Sequence, residues 1–212
     1  MLGFLLLCFS SLFSIVNPLS SAVVFEAIST KYTNKEKLDI IRRSALTMMF
    51  VLIIFSLTGL VILKFFSITL DALRIGGGLY LMLISFRMLN PIRSHKEIHP
   101  KTKSELKYKD DIAIAPIAIP LLSGPGAITT TIVLSTQNPT YYGLLTLIAV
   151  ILIITILTYF ILKNADWLTK RFLGHTGIKT LEKIMGLIIL CIGVQFILNG
   201  MKDYLIVVLQ AL

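Results

Sequence analysis

The longest charge-free run of the chain contains the residues that most restrict its fold. Asp111 and Lys163 are the nearest charges on either side of this run. An uncharged apolar run of that length is typical of helices in lipid. At its centre the chain reads Ala118-Ile-Pro-Leu-Leu-Ser-Gly-Pro-Gly-Ala-Ile-Thr-Thr-Thr131, with two prolines and two glycines. Because a bilayer tolerates a broken helix only where protein or water satisfies the released backbone groups, this stretch predicts a functional site.

The composition of the whole chain indicates an integral membrane protein. Hydrophobic residues make up 56% and charged residues 15%, against roughly a quarter charged in soluble domains. The net charge of +9 does not predict a nucleic-acid partner, because the basic residues lie between apolar runs. We therefore expect one transmembrane domain over residues 1–212, with the lipid bilayer as its partner.

Six apolar runs predict six membrane spans. They cover about residues 2–28, 44–63, 68–90, 112–134, 143–162 and 184–201. The loops at 31–43, 93–109 and 163–183 lie on one side and hold most of the lysines and arginines. The positive-inside rule places these loops in the cytoplasm and both termini outside it, so we expect a multi-pass protein of the cytoplasmic membrane.

The two halves of the chain resemble each other. A shift of 108 residues lays Gly78 on Gly186 and Ser85 on Gly193, and a shift of 107 lays Asn17-Pro18 on Gly124-Pro125. Three spans per half is an odd number, so the two copies cross the membrane in opposite directions. We predict an all-α membrane protein with six transmembrane helices arranged as two inverted three-helix repeats, in which the first and fourth helices are broken. The repeats cover 1–91 and 112–212, and a basic cytoplasmic linker covers 92–111.

The two breaks predict a substrate site. Proline fits the first turn of a helix, and Asn or Gly fits the N-cap before it. Each break is therefore expected to begin a half-helix at mid-membrane, where its N–H groups and positive dipole end suit a carboxylate. We expect the two breaks to lie within a ligand's width of each other. The candidate substrate-binding residues are Asn17, Pro18, Ser20, Ser21, Ser123, Gly124, Pro125, Gly126, Thr129 and Thr130.

Other readings of these residues stay open. Either break alone would be explained by a packing kink between close helices. Four further residues are candidates for lining the substrate path: Ser14, Arg74, Arg87 and Gln195. The two arginines would alternatively extend their stems to the interface, and the glutamine would alternatively cross-link two helices. Glu26 is expected near the cytoplasmic boundary, which leaves no acid at the midplane and favours a substrate with a carboxylate and a small neutral body.

No cofactor or metal site is predicted. Cys8 and Cys191 lie in apolar segments, and His95 and His99 lack a third ligand. An enzyme is not expected either, because no span contains a histidine and no pair of acids lies at the midplane.

The chain resembles the MarC family over nearly its whole length. The resemblance rests on Asn17-Pro18, on Arg74-Ile-Gly-Gly-Gly, on Ile117-Ala-Ile-Pro-Leu-Leu-Ser-Gly-Pro-Gly-Ala-Ile and on the segment from Gly186 to Gln195-Phe196. The family is similar to LysE-like amino-acid exporters with inverted three-helix repeats, and it includes members assigned to glycine and alanine transport. The resemblance therefore implies a small neutral amino acid as substrate.

These observations lead to one expected function and two alternatives. We expect a secondary transporter that moves glycine and alanine by alternating access at a midplane site between the two half-helix N-termini. A channel, or an exporter for another small solute with a carboxylate, is the alternative. The coupling ion would be H⁺ or Na⁺, and carbonyls between Pro120 and Gly124 would suit Na⁺. The sequence is also compatible with a homo-oligomer.

Overall fold

The computed structural model describes residues 2–29, 32–90, 122–168 and 174–211. Within these ranges all regular structure is helical: seven helices, and a single helical turn at Ala165–Trp167. The helices are α1 (Leu2–Val16), α2 (Pro18–Ser29), α3 (Asn34–Phe65), α4 (Leu70–Leu89), α5 (Pro125–Gln137), α6 (Tyr141–Lys163) and α7 (Gly174–Ala211). The predicted linker at 92–111, with His95 and His99, and the first part of the predicted fourth span lie outside the described residues.

Five helical segments in the described part of the chain are long and apolar enough to cross a membrane. They are Leu2–Glu26, Asn34–Phe65, Leu70–Leu89, Tyr141–Lys163 and Lys183–Lys202. These segments match five of the six predicted spans. The span predicted at 112–134 is described only from residue 122, and α5 (Pro125–Gln137) begins within it.

Helix α3 begins earlier than the sequence predicted. The prediction treated residues 31–43 as a charged loop, but the helix starts at Asn34. Thr33 caps it: the Thr33 hydroxyl accepts from the backbone N–H of Glu36, and the Glu36 carboxylate accepts from the backbone N–H of Thr33. This reciprocal capping box satisfies two backbone donors, so the charged segment continues the span as helix.

The last helix also extends beyond its predicted span at both ends. The prediction placed a span at 184–201 between a basic loop and a short apolar tail, whereas α7 runs from Gly174 to Ala211. No proline interrupts residues 174–211, so nothing in the backbone ends the helix at the interface.

The helices pack in two groups. Helix α6 packs along α1, α2 and α3, and the buried residues between them include Leu12, Met48 and Ile151. Helix α4 packs most extensively against α7 and also contacts α5, around a smaller core of Leu81, Val133, Ile189 and Phe196. Helix α5 also contacts α3 and α1 and so connects the two groups.

The outer surface carries many large apolar side chains. On α3 the exposed residues include Phe50, Ile54, Leu57 and Val61, and on α7 they include Leu187 and Leu198. Soluble monomers rarely expose such contiguous apolar surface. On helices of this length these faces are suited to contact with lipid.

The backbones of helices α4 and α7 approach each other closely at Gly78 and Gly193. A Cβ atom built on Gly78 would lie 2.5 Å from the carbonyl oxygen of Gly193, and one built on Gly193 would lie 2.8 Å from the carbonyl oxygen of Gly78. Two turns further along α4, a Cβ on Gly186 would lie 3.4 Å from the carbonyl oxygen of Ser85. Glycine therefore permits a close backbone approach between the third span and the last one.

Candidate functional site

The first break lies at Asn17, which both ends α1 and caps α2. The Asn17 backbone N–H donates to the Phe13 carbonyl (3.0 Å), as a continuing helix would require, but its φ is +46°. Asparagine tolerates this left-handed conformation better than most residues. Its side-chain Oδ1 accepts from the backbone N–H of Ser20 (3.3 Å), and Pro18 is the first residue of α2. The predicted N-cap at Asn17 is confirmed.

The second break lies at Gly124, which is the N-cap of α5. Its φ of −61° and ψ of 173° are extended, and Pro125 occupies the first turn. The carbonyl of Gly124 accepts from the backbone N–H groups of Ala127 (2.9 Å) and Ile128 (3.2 Å). No side chain caps this end, because the cap residue is glycine. The predicted start of a helix at Gly124-Pro125, with glycine as its N-cap, is confirmed.

Both breaks lie against α4 and close to each other. A Cβ atom built on Gly126 would lie 2.7 Å from Cδ2 of Leu81 and 3.5 Å from Cγ2 of Ile15, which precedes Asn17 by two residues. On the first break, Nδ2 of Asn17 lies 3.8 Å from Sδ of Met88. The start of α5 is thus in contact with the end of α1, and α4 borders both.

The residues after the second break are buried hydroxyls. Thr129, Thr130 and Thr131 are all buried in α5. A Cβ atom on Gly77 of α4 would overlap the Thr129 side chain, so this glycine makes room for the threonine. Ser123, directly before the break, is fully buried as well.

Hydrogen bonding divides these hydroxyls into two kinds. Ser21 Oγ donates to the Asn17 carbonyl (3.1 Å), and Thr131 Oγ1 donates to the Ala127 carbonyl (2.8 Å), each within its own helix. Ser20 Oγ and Thr130 Oγ1 are buried and have no hydrogen-bond partner among the residues that the structure describes. Each break is therefore followed by a buried hydroxyl that donates to no acceptor among the described residues.

The arginines predicted as path-lining candidates lie towards the two ends of α4. Arg74 is partly buried, and its Nη1 lies 3.4 Å from Oδ1 of Asp71. Arg87 is exposed in the last turn. The nearest side chains to the Gly126 position are Leu81 and Ile15, and the Asn17 amide contacts Met88, so neither arginine has a known contact with the breaks.

The other two path candidates differ in burial. Ser14 is buried in the last turn of α1, three residues before Asn17. Gln195 is exposed, and its Nε2 donates to Oδ1 of Asn199 (2.8 Å) in the same helix, so this bond does not cross-link two helices.

Glu26 lies near the cytoplasmic end predicted for the first span. Its Oε2 lies 4.0 Å from Nζ of Lys37, which connects α2 to the first turns of α3. Within residues 2–29, 32–90, 122–168 and 174–211 there is no group of three or more His, Cys, Asp or Glu side chains that would hold a metal ion.

Three residues at the breaks were not predicted as site residues. Met88 contacts the Asn17 amide, Leu81 contacts Gly126, and Gly77 accommodates Thr129. All three lie on α4, whose glycine run Gly76 to Gly78 was the available sequence signal. Apolar side chains on a membrane helix look alike in sequence, so Met88 and Leu81 had no signal of their own.

The chain is similar to known membrane proteins over nearly its full length. The model for MarC family integral membrane protein matches residues 2–205. A UPF0056 membrane protein of Methanocaldococcus jannaschii is 38% identical over 205 residues, which cover 97% of this chain and 99% of that protein. The UPF0056 membrane protein YvbG of Bacillus subtilis is 31% identical, with 95% and 96% covered. YhcE of Escherichia coli is also 31% identical, with 92% and 90% covered. No solved structure matches the chain.

Proposed function

Because the chain belongs to the MarC family of integral membrane proteins, we propose that it is a secondary transporter for small neutral amino acids, with glycine and alanine as substrates. The proposed mechanism is alternating access at a site between the N-termini of α2 and α5. The observation that carries this proposal is the contact between the two breaks, where Gly126 lies beside Ile15 and both breaks border α4.

The backbone at the breaks supports a carboxylate ligand. The N-terminus of a helix presents N–H groups and a positive dipole end, and α2 and α5 both begin inside the apolar part of the chain. The Asn17 side chain adds an amide N–H group that contacts Met88 Sδ, which is a weak acceptor. An anionic oxygen is the ligand group that such donors stabilise most.

The small residues at the breaks support a compact substrate. Gly126 and Ala127 occupy the first turn of α5, and Ser20 and Ser21 occupy the first turn of α2. Leu81 and Ile15 lie beside Gly126 and limit the space there. Glycine and alanine fit such a site better than substrates with long side chains.

The helix contacts support two inverted repeats. A two-fold axis that exchanges the halves would exchange α4 with α7 and α3 with α6, and both pairs are in contact. Under the same symmetry, the contact of α6 with α1 and α2 is equivalent to a contact of α3 with α5. The structure has both contacts. The shift of 108 residues makes Gly78 equivalent to Gly186 and Ser85 equivalent to Gly193. The close approach of Gly78 to Gly193 is therefore equivalent to the approach of Gly186 to Ser85.

The proposal includes an orientation and a coupling ion. Both termini would lie outside the cytoplasm of a cell whose cytoplasmic membrane holds the protein. Transport would be driven by H⁺ or Na⁺, with backbone carbonyls before Gly124 as ligands for Na⁺. Imposed proton and sodium gradients across vesicles would identify the ion.

Counterflow in proteoliposomes tests the function. Vesicles preloaded with unlabelled alanine are expected to accumulate labelled alanine and labelled glycine with saturable kinetics, because a carrier exchanges substrate at each turnover. Asn17→Gly keeps the left-handed backbone but removes the amide, and it is expected to raise the apparent KM about tenfold. Ser123→Ala is expected to act in the same direction. Thr58→Ala is the control, since Thr58 is exposed on α3 and bonds to the Ile54 carbonyl.

The outcomes separate the alternatives. Absence of saturable alanine or glycine flux would contradict the proposal of amino-acid transport. Flux that rises linearly with concentration and shows no counterflow would favour a channel. Saturable flux of another small carboxylate, with no competition by alanine, would favour the exporter alternative.

A further inference from the structure

Hydroxyl groups in the membrane helices of this chain usually donate to a carbonyl in their own helix. Such bonds satisfy the hydroxyl proton where no water is present. They join Ser56 to Ile53, Thr58 to Ile54, Ser85 to Met82, Ser135 to Ile132, Thr136 to Val133, Thr146 to Tyr142 and Thr155 to Ile151, at 2.7 to 2.8 Å. A buried hydroxyl that departs from this pattern needs an explanation.

Three buried hydroxyls depart from it. Ser20 Oγ, Thr130 Oγ1 and Thr158 Oγ1 have no hydrogen-bond partner within the described part of the chain. Thr130 and Thr158 are both 0% exposed. Leaving a buried donor without an acceptor is unfavourable, so these hydroxyls are suited to a ligand that supplies acceptor oxygens.

Two of the three hydroxyls already belong to the proposed site. Ser20 follows Asn17 by three residues, and Thr130 follows Gly124 by six. Thr158 lies instead on α6, which neither the sequence nor the comparisons connect with a substrate.

The packing of α6 places Thr158 within about one helical turn of the level of the first break. Helix α6 contacts both α1 and α2, so it passes the break between them, and α2 also contacts the turn Ala165–Trp167 just beyond the end of α6. The twelve residues of α2 span about 18 Å at ~1.5 Å per residue. Counting about 18 Å back along α6 from the turn Ala165–Trp167 gives the position on α6 that is level with the start of α2. This position lies about one helical turn before Thr158.

We infer that Thr158 donates a hydrogen bond to the carboxylate of the transported amino acid, together with Ser20 and Thr130. This inference rests on the proposed function. A carboxylate has two oxygens and accepts several hydrogen bonds, so one carboxylate would be able to satisfy donors from α2, α5 and α6. Thr158 is then a specificity-determining residue of the site.

A pair of threonines on one helix provides the test. Thr158→Val removes the hydroxyl at nearly constant volume. Thr155→Val is the matched control, because Thr155 is 7% exposed, lies one turn earlier on α6 and donates to the Ile151 carbonyl at 2.8 Å. Thr158→Ser keeps the hydroxyl and serves as the rescue variant. Each protein is reconstituted and its apparent KM for alanine counterflow is measured, along with its Tm in detergent without substrate.

The expected result separates a binding role from a structural one. Thr158→Val is expected to raise the KM for alanine about tenfold or more, because a hydrogen bond to a charged group is lost. Its Tm without substrate is expected to be unchanged or higher, since an unsatisfied donor is removed. Thr155→Val and Thr158→Ser are expected to stay within about twofold of the wild-type KM.

Competition by alaninamide identifies the group that Thr158 contacts. Alaninamide lacks the carboxylate charge, so the wild-type protein is expected to prefer alanine strongly. Thr158→Val is expected to reduce this preference about fivefold or more. An equal loss of affinity for both compounds would overturn the assignment to the carboxylate.

The remaining outcomes are distinct from one another. A wild-type protein without saturable flux overturns the proposed function, and the inference with it, before any variant is compared. A wild-type protein with saturable flux and a Thr158→Val KM within twofold overturns the inference alone. A Tm of Thr158→Val several degrees lower, restored by Thr158→Ser, would assign the hydroxyl a structural bond and also overturn it.

Discussion

At the scale of single residues, Asn17 combines two tasks that different residues perform at most helix ends. Its backbone adopts the left-handed conformation that ends α1, and its side chain caps α2. Glycine would suit the first task and serine the second, whereas asparagine serves both. The sequence predicted the cap from Asn17-Pro18. It did not predict the contact with Met88, because that contact depends on how α4 packs.

Substitution of Asn17 should separate these two tasks. Asn17→Ala is expected to lower the stability by about 2 kcal/mol, because alanine is strained at φ +46° and lacks the capping oxygen. Asn17→Gly is expected to cost only a few tenths of a kcal/mol, since glycine is a fair cap and accepts positive φ. Thermal unfolding in detergent measures both. Equal losses of stability for the two variants would contradict the role of the left-handed backbone at Asn17.

At the scale of elements, the sequence predicted chain breaks better than helix ends. The starts of α2 and α5 follow from local chemistry, since Asn-Pro and Gly-Pro set the backbone whatever surrounds them. The start of α3 was placed too late because lysines and arginines suggested a loop. The Thr33-Asn-Lys-Glu36 capping box was present in the sequence and is the signal that would have corrected it.

The contact of α4 with α7 gives a prediction at this scale. Gly78→Ala is expected to destabilise the protein by roughly 1–3 kcal/mol, because the new methyl group meets the backbone oxygen of Gly193 and that atom has no rotamer to change. Gly76→Ala is the matched control on the same helix. A Cβ there has no atom within 4 Å, so this variant should be neutral or slightly stabilising. Thermal unfolding of both in detergent checks this. A Gly78→Ala protein as stable as Gly76→Ala would contradict the close approach.

At the scale of the whole molecule, the sequence predicted five apolar spans that the structure also has, but it did not predict which spans contact each other. Hydropathy and basic residues report on each span separately. Which spans touch depends on small residues spread over the chain, such as Gly77 against Thr129 and Gly59 against Ile132. The same limit applies to the candidate site. Its polar residues were predicted from the breaks, whereas its apolar wall on α4 emerged only from the packing.

The orientation of the molecule is open to direct measurement. In a Cys8→Ser, Cys191→Ser background, a single cysteine at Lys35 is expected to react with a membrane-impermeant maleimide only after the cells are permeabilised. A single cysteine at Tyr141 is expected to react in intact cells. Both native residues are exposed, so burial does not protect either position. The reverse pattern of labelling would rule out extracytoplasmic termini.

The glycine contact between α4 and α7 also has a consequence for biosynthesis. Gly78 leaves the ribosome more than a hundred residues before Gly193, so α4 is made before the glycine of α7 that it packs against. The first half of the chain therefore completes its packing only when the second half arrives, and the order of translation sets the order of assembly. If the chain is divided within residues 92–111 and both fragments are made in one cell, the fragments should associate through this face. Each fragment should be degraded faster when it is made without the other.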